Sequence, residues 1–405
     1  MSLHDEGGRR RRFGAVASIV FLDAMGLGII QPILPFLALH YGAGPAMVTQ
    51  LIALYALAAF LVTPQLGRLS DRIGRPIVLL ITVFGSAASY VGMLLSSSLG
   101  GLFVFRAVGG AASSNESIAQ ALVTDGLESG KHASALATLG AVKNVGTISG
   151  PIIGGALAAL VAPAILFHAT LGVALAVALC TLLATFVVFR GAFGRRAPEA
   201  AKAARTEPST SRGLPARDVL GALAGTALVA VPTALLFSIT ALYVDAVFGW
   251  DARHTGLLLG LCTAGVVLSR LFLVPRISAR VKPNTGLAIM ASVTSVGLTG
   301  AAVSTHGVAF FVFYILFAVG CSGALVFTAT TVSIRAPAAA RGQYLGWNQA
   351  TYALATVVSA LLYGAVFEKL GPQAPFYIGI ATIALVAAAA WGVAVVGRTA
   401  ARTVP

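Results

Sequence analysis

Charged residues stand deep inside long apolar stretches of the chain, among them Asp23, Arg106, Glu116, Lys143 and Arg270. A charge at the centre of a bilayer costs about 2.5–3.5 kcal/mol on insertion scales, so a side chain kept there is a functional candidate. Two kinds of chemistry are open to such a set, proton uptake and release by a carboxylate and electrostatic capture of a ligand. A carboxylate in low dielectric favours its protonated form, and a nearby ammonium or guanidinium favours the ionised one. A movement that changes their separation would therefore load and release a proton. Asp23 and Glu116 are the two candidates for proton coupling. Glu116 and Lys143 also have a plainer reading, the mutual neutralisation of two buried ions. A substrate would meet Gln31, Arg106, Asn115, Lys143, Arg270, Tyr314, Trp347, Asn348 and Tyr352, which suit a mostly apolar pocket with a few orienting polar groups.

Other chemistry lacks its residues. GLESGKH at 126–132 contains Gly-Lys but has the wrong spacing and no following Ser or Thr for a phosphate loop. The chain has no Gly-x-Ser-x-Gly elbow, metalloprotease motif or paired-cysteine site. The six histidines lack metal-ligand spacing, and Cys180, Cys262 and Cys321 all fall in apolar segments, which implies no disulfide framework. No enzyme activity, cofactor or metal is expected.

The elements that must position these residues are membrane helices. Hydrophobic residues make up 58% of the 405 positions and charged residues 10%, against roughly a quarter charged in soluble domains. Apolar runs of about 20 residues or more recur from end to end, each long enough to cross a hydrocarbon core of about 30 Å. Backbone polar groups in lipid must be satisfied internally, so the runs are helices. Twelve spans are expected, at about 13–39, 47–66, 76–96, 99–124, 133–161 and 163–189, then 218–248, 254–275, 284–304, 307–334, 342–367 and 373–397. Residues 190–217, rich in Arg, Ala, Pro, Ser and Thr, form the linker between an N-terminal bundle (1–189) and a C-terminal bundle (218–405).

The net charge of +14 is spread through short loops and not over one face, so it points to membrane topology and not to nucleic acid. With the N-terminus inside, cytoplasmic segments hold 22 of the 27 Lys and Arg, and outside loops hold Arg253 and Lys369. This asymmetry puts both termini in the cytoplasm. The run after Arg9–Arg12 extends to about Leu39, contains Asp23 and lacks the usual cleavage site, so it reads as a first span and not a removable signal. At 1.5 Å per residue Asp23 lies about 15 Å from the inner side, and Glu116 and Lys143 about 14 Å. Spans four and five run antiparallel, which makes a Glu116–Lys143 pair geometrically reasonable.

The two halves resemble each other. PQLGRLSDRIGRP (64–76) matches VPRISARVKP (274–283), with Arg68, Ser70 and Arg72 corresponding to Arg276, Ser278 and Arg280 at an offset of 208. LFVFR (102–106) matches FFVFY (310–314) at the same offset. A six-helix unit repeated in parallel is one of the plans of secondary transporters, with the substrate near the midplane at the repeat interface.

Four segments carry a family resemblance. LDAMGLGIIQPILPFL (22–37), GRLSDRIGRP (67–76), Arg106 with Gly109 and Gly110, and GTISGPIIGGAL (146–157) resemble the motifs of the major facilitator superfamily, in particular the drug/proton antiporters related to tetracycline efflux proteins. The resemblance implies an all-α membrane protein of twelve helices in two six-helix bundles, working by alternating access in the inner membrane of a bacterium. It also implies gating roles for Gly67, Asp71, Arg72, Gly74 and Arg75, as a cytoplasmic latch held by ion pairs, and for Gly146, Gly150, Pro151 and Gly154. The glycines every four residues let two backbones approach closely, and Pro151 bends the helix.

The sequence departs from the tetracycline pattern where acidic residues are expected in spans three and nine. GSAASYVG (85–92) and IMASVTSVG (289–297) offer Ser89 and Ser292. The leading expectation is proton-coupled efflux of drugs or small amphiphilic compounds. A proton-coupled carrier of an organic anion or lipid-like zwitterion is the second, suggested by the in-span basic residues. A membrane sensor that binds without transporting is the third. The expected partners are a small-molecule substrate, protons and the lipid bilayer, with no nucleic acid, and the expected state is a monomer.

Overall fold

The computed structural model describes residues 3–124, 129–161, 165–193, 217–336 and 341–400. Among these residues there is no strand. The first apolar stretch is two helices, α1 (Leu3–Ile30) and α2 (Leu34–His40). Pro32 has no N–H to continue α1. The chain turns through 31–33, and the Ile33 amide donates to the Ile30 carbonyl at 3.1 Å. Helix α3 (Pro45–Ile73) and helix α4 (Arg75–Leu95) are separated by Gly74 alone.

The stretch expected as one span over 99–124 is instead α5 (Leu99–Ala111) and α6 (Asn115–Thr124). Ser113 Oγ donates to the Gly110 carbonyl at 2.7 Å and Ser117 Oγ to the Ser114 carbonyl at 2.9 Å. Such local bonds compete with the helical ladder, and the Gly109–Gly110 pair weakens it further. Helices α7 (Ser129–Leu160) and α8 (Leu166–Phe193) follow. Residues 194–216, nearly all of the expected linker, lie outside the described residues.

The second half begins with α9 (Arg217–Ser238) and α10 (Thr240–Phe248), divided at Ile239, where Thr240 Oγ1 donates to the Leu235 carbonyl at 2.7 Å. Next, α11 (Ala252–Leu268) passes through one π turn, Ser269–Leu273, into the short α12 (Val274–Ser278). Pro275 explains the π turn: it cannot donate to the carbonyl four residues back and its ring crowds it. The Val274 amide reaches instead to the Ser269 carbonyl, five residues back. Helices α13 (Pro283–Val303), α14 (Gly307–Arg335), α15 (Arg341–Leu370) and α16 (Ala374–Ala400) complete the chain.

Ten helices among the described residues are long and apolar enough to cross a membrane. The two further expected spans correspond to the broken α5–α6 pair and to α7, where Lys143, Asn144 and glycines dilute the apolar run.

The chain divides into two compact units. One comprises Met1–Ala43, Leu54–Pro208 and Ala252–Gly260. Its core joins α1, α4, α6 and α7 through Val16, Ile19, Val20, Val78, Val83, Ile118, Ala119 and Leu139. The other comprises Gly44–Ala53, Ser209–Asp251 and Leu261–Pro405. Val229, Met290, Ala324, Phe327 and Ile383 bind its α9, α13, α14 and α16 together. Large apolar side chains remain exposed on both, Phe84, Leu95 and Leu183 on the first and Val296, Val303 and Val312 on the second. That pattern suits a lipid solvent.

Candidate functional site

The first unit brings four of the sequence candidates together. Asn115, fully buried at the first position of α6, donates from Nδ2 to Asp23 Oδ1 on α1 at 2.7 Å. The break at 112–114 gives α6 its own start, and this places Asn115 against α1 and α4, where its Nδ2 also lies 3.5 Å from Ser86 Oγ. Asp23 borders a small void whose other polar walls are Ser86, Tyr90 and Thr181. No cation lies within ion-pair distance of Asp23 among the described residues. The next residue, Glu116, is held differently. Lys143 Nζ of α7 stands 2.6 Å from Glu116 Oε2, and Gln120 Nε2 donates to Oε1 at 3.2 Å. Both charged side chains of this pair are more than a third exposed, 38% for Glu116 and 40% for Lys143.

Arg106 of α5 is 5% exposed and lies over the Tyr55 ring of α3, 4.4 Å from its centroid. Its Nε has no hydrogen-bond partner, so the aromatic face supplies its electrostatic contact. Gln31 sits half-buried in the turn between α1 and α2. Ser89, standing where an acid was expected, donates to the Phe105 carbonyl at 2.6 Å, so it braces α4 against α5.

The expected latch residues lie where α3 turns into α4. Arg75 Nη2 is 2.8 Å from Asp71 Oδ1, and its Nη1 donates to Ser70 Oγ at 2.8 Å. Ser70 in turn donates to the Gly67 carbonyl at 2.7 Å. Gly74 has φ of +100°, a conformation open to glycine and strained for other residues. Arg72 is exposed at the end of α3. On α7, Gly146 and Gly154 face the carbonyls of Phe21 and Ile29, and a Cβ built at Gly150 would stand 2.6 Å from Gly28 Cα. The partner backbone of this glycine row is thus α1 of the same unit. Pro151 packs beside it, 2.9 Å from the position a Gly28 Cβ would take.

The second unit holds the remaining candidates. Arg270 lies on the π turn and donates from Nε to Ser322 Oγ of α14 at 2.7 Å. Thr226 Oγ1 donates to Asn348 Oδ1 at 2.6 Å across α9 and α15. Trp347 is half-buried edge-on to Tyr344, with ring centroids 5.1 Å apart. Tyr352 lies part-buried one turn further along α15. Tyr314 is fully buried, hydrogen-bonded to Thr240 and stacked on Phe310 at 5.0 Å. It belongs to an aromatic core with Tyr243, Phe317 and Phe376. Ser292 receives the Trp391 indole N–H at 3.2 Å.

Tyr55, Ser86, Thr226 and Ser322 contact the candidates and were not singled out from sequence. Each is a polar side chain in an apolar helix, the one signal that could have found them.

The family model described as the Major Facilitator Superfamily matches residues 16–335 and 222–404. Tetracycline resistance protein, class D, from Salmonella ordonez is 32% identical over 252 residues, which cover 59% of this chain and 60% of that protein. Tetracycline resistance protein, class E, from Escherichia coli is 28% identical over 364 residues, 86% of this chain and 87% of that protein. The match to the class D protein therefore spans less than two thirds of its length. Among solved structures, the nucleoside transporter NupG superposes with a TM-score of 0.73 at 13% identity, over 94% of this chain and 98% of that one. At that identity the likeness is one of fold.

Proposed function

Because the chain belongs to the Major Facilitator Superfamily and is a multi-pass membrane protein, we propose that it is a secondary active transporter exporting drugs or small amphiphilic compounds in exchange for protons, in the inner membrane of a bacterium with both termini cytoplasmic. The observation that carries the exchange is the contrast between two neighbouring carboxylates. Glu116 is neutralised by Lys143 at 2.6 Å, whereas Asp23 has a neutral amide as its hydrogen-bond donor. Asp23 is therefore the carboxylate free to change charge, and it carries the coupling proton. Asn115 orients it and can donate to it in its ionised state. The names of the two resistance proteins support drug efflux, and the in-span arginines Arg106 and Arg270 support an anionic or zwitterionic cargo as the second reading.

The test is transport by the purified chain in proteoliposomes. Asp23→Asn should lower pH-gradient-driven transport at least tenfold, while substrate counterflow, which moves no net proton, persists. Full pH-driven transport by Asp23→Asn would falsify the assignment. Altered sensitivity of cells lacking the protein to a panel of drugs and organic anions separates the two cargo readings, and any gradient-driven flux separates both from a sensor.

A further inference from the structure

We propose that Arg270, presented by the π turn of the second unit, is an oxyanion-binding residue that recognises the carboxylate, sulfonate or phosphate head of an amphiphile. The proposal names the ligand chemistry within the second cargo reading and rests on it.

Arg270 lies eight residues before Ser278, about 12 Å along the helix axis from the inner end of the span. A guanidinium has five N–H donors, and Ser322 Oγ takes only the one on Nε. No carboxylate is paired with the other four among the described residues. The remaining in-span cations are accommodated: Lys143 by Glu116 and Arg106 by the Tyr55 face. Arg270 has neither a counter-ion nor a ring beneath it among the described residues. An arginine edge with its two Nη groups free matches an oxyanion in bidentate fashion.

The local structure holds that edge in place. The Ser322 bond tethers the side chain at Nε. The π turn, set by Pro275, gives Arg270 a rotational position that an uninterrupted α-helix would not. π turns of this kind cluster at functional sites. Leu268, Leu271, Phe272 and Leu273 around Arg270 are exposed apolar side chains, which suits the tail of an amphiphile whose head the guanidinium binds. The anion can come from a transported compound or from an anionic phospholipid, and the chemistry at Arg270 is the same for both.

The experiment uses the full chain in nanodiscs of phosphatidylcholine, with and without phosphatidylglycerol, and no pH gradient. Binding of naphthalene-2-carboxylate is compared with binding of the neutral naphthalene-2-carboxamide. The expected result in phosphatidylcholine is a preference of about tenfold for the carboxylate, lost in Arg270→Gln. Arg270→Lys, with the charge but not the fork, should keep only part of it, and Ser322→Ala should reduce it about threefold. If a phospholipid is the occupant, phosphatidylglycerol will raise the melting temperature of the wild type, compete with the carboxylate, and do neither in Arg270→Gln. Either pattern supports the site. The proposal is overturned if the wild type shows neither preference, or if Arg270→Gln, Arg270→Lys and Ser322→Ala all behave as wild type. Should Arg270→Gln fail to fold, the lysine and alanine variants carry the same comparison. Proton exchange fails separately, in the gradient-driven assay on Asp23→Asn.

Discussion

The Glu116–Lys143 pair illustrates how little a short distance says about energy by itself. The two groups are 2.6 Å apart, yet each side chain is more than a third exposed, and where water reaches such a pair it contributes about 0–1 kcal/mol. Glu116→Gln, which leaves the ammonium without its partner, should lower stability by about 1 kcal/mol, read as a fall in detergent melting temperature. Adding Lys143→Met should recover most of that loss. A fall several times larger, not recovered by the second substitution, would mean that Glu116 has another role. At this scale the candidate charges were legible in the sequence, because charged residues in apolar runs stand out. Their partners were less so. Asn115 reaches Asp23 only because α6 starts anew after the 112–114 turn, and the Tyr55 face under Arg106 depends on how α3 packs against α5.

Among the elements, the row of glycines on α7 makes the sharpest prediction. A Cβ at Gly150 would meet the backbone of α1 at 2.6 Å, whereas one at Gly140, on the same helix, meets nothing within 4 Å. Gly150→Ala should therefore destabilise by about 1–3 kcal/mol through forced separation of the two helices, and Gly140→Ala should be neutral or slightly stabilising. Comparing their melting temperatures checks this. The α3–α4 turn makes another. Asp71 and Arg75 form an ion pair one helical turn apart and bridge the single residue Gly74. Asp71→Asn should slow net transport several-fold while changing substrate affinity less than twofold, because it perturbs a joint and leaves the ligand contacts intact. Lost binding with normal exchange rates would count against that role. The motif was readable from sequence, but its near-continuous helical form was not, since a loop was expected where α3 runs on to Ile73.

For the whole molecule, the distribution of Lys and Arg predicts which loops face the cytoplasm. With Cys180, Cys262 and Cys321 replaced by alanine, a single cysteine at Ser97 or Ser304 should react with an impermeant maleimide from outside intact cells. One at Arg68 should react only after permeabilisation. Outside labelling at Arg68 would reverse the topology. The helical fold was legible because apolar runs of membrane length are its direct cause. The breaks within those runs were not, because each depends on a proline that lacks its N–H or on a few serines, threonines or glycines that weaken the ladder locally, against an apolar background that favours helix throughout.

The π turn also bears on how the two halves line up along the chain. Helix α3 begins at Pro45 and α11 at Ala252, 207 residues apart. After the π turn the spacing changes: α4 and α13 begin at Arg75 and Pro283, and α5 and α14 at Leu99 and Gly307, each pair 208 apart. The register between the two halves steps by one residue across the segment that holds the turn. A π turn is what an α-helix becomes when it absorbs one added residue without moving its flanks. The turn that presents Arg270 thus takes up one residue within the helix itself, and the elements after it keep a constant 208-residue spacing to their counterparts.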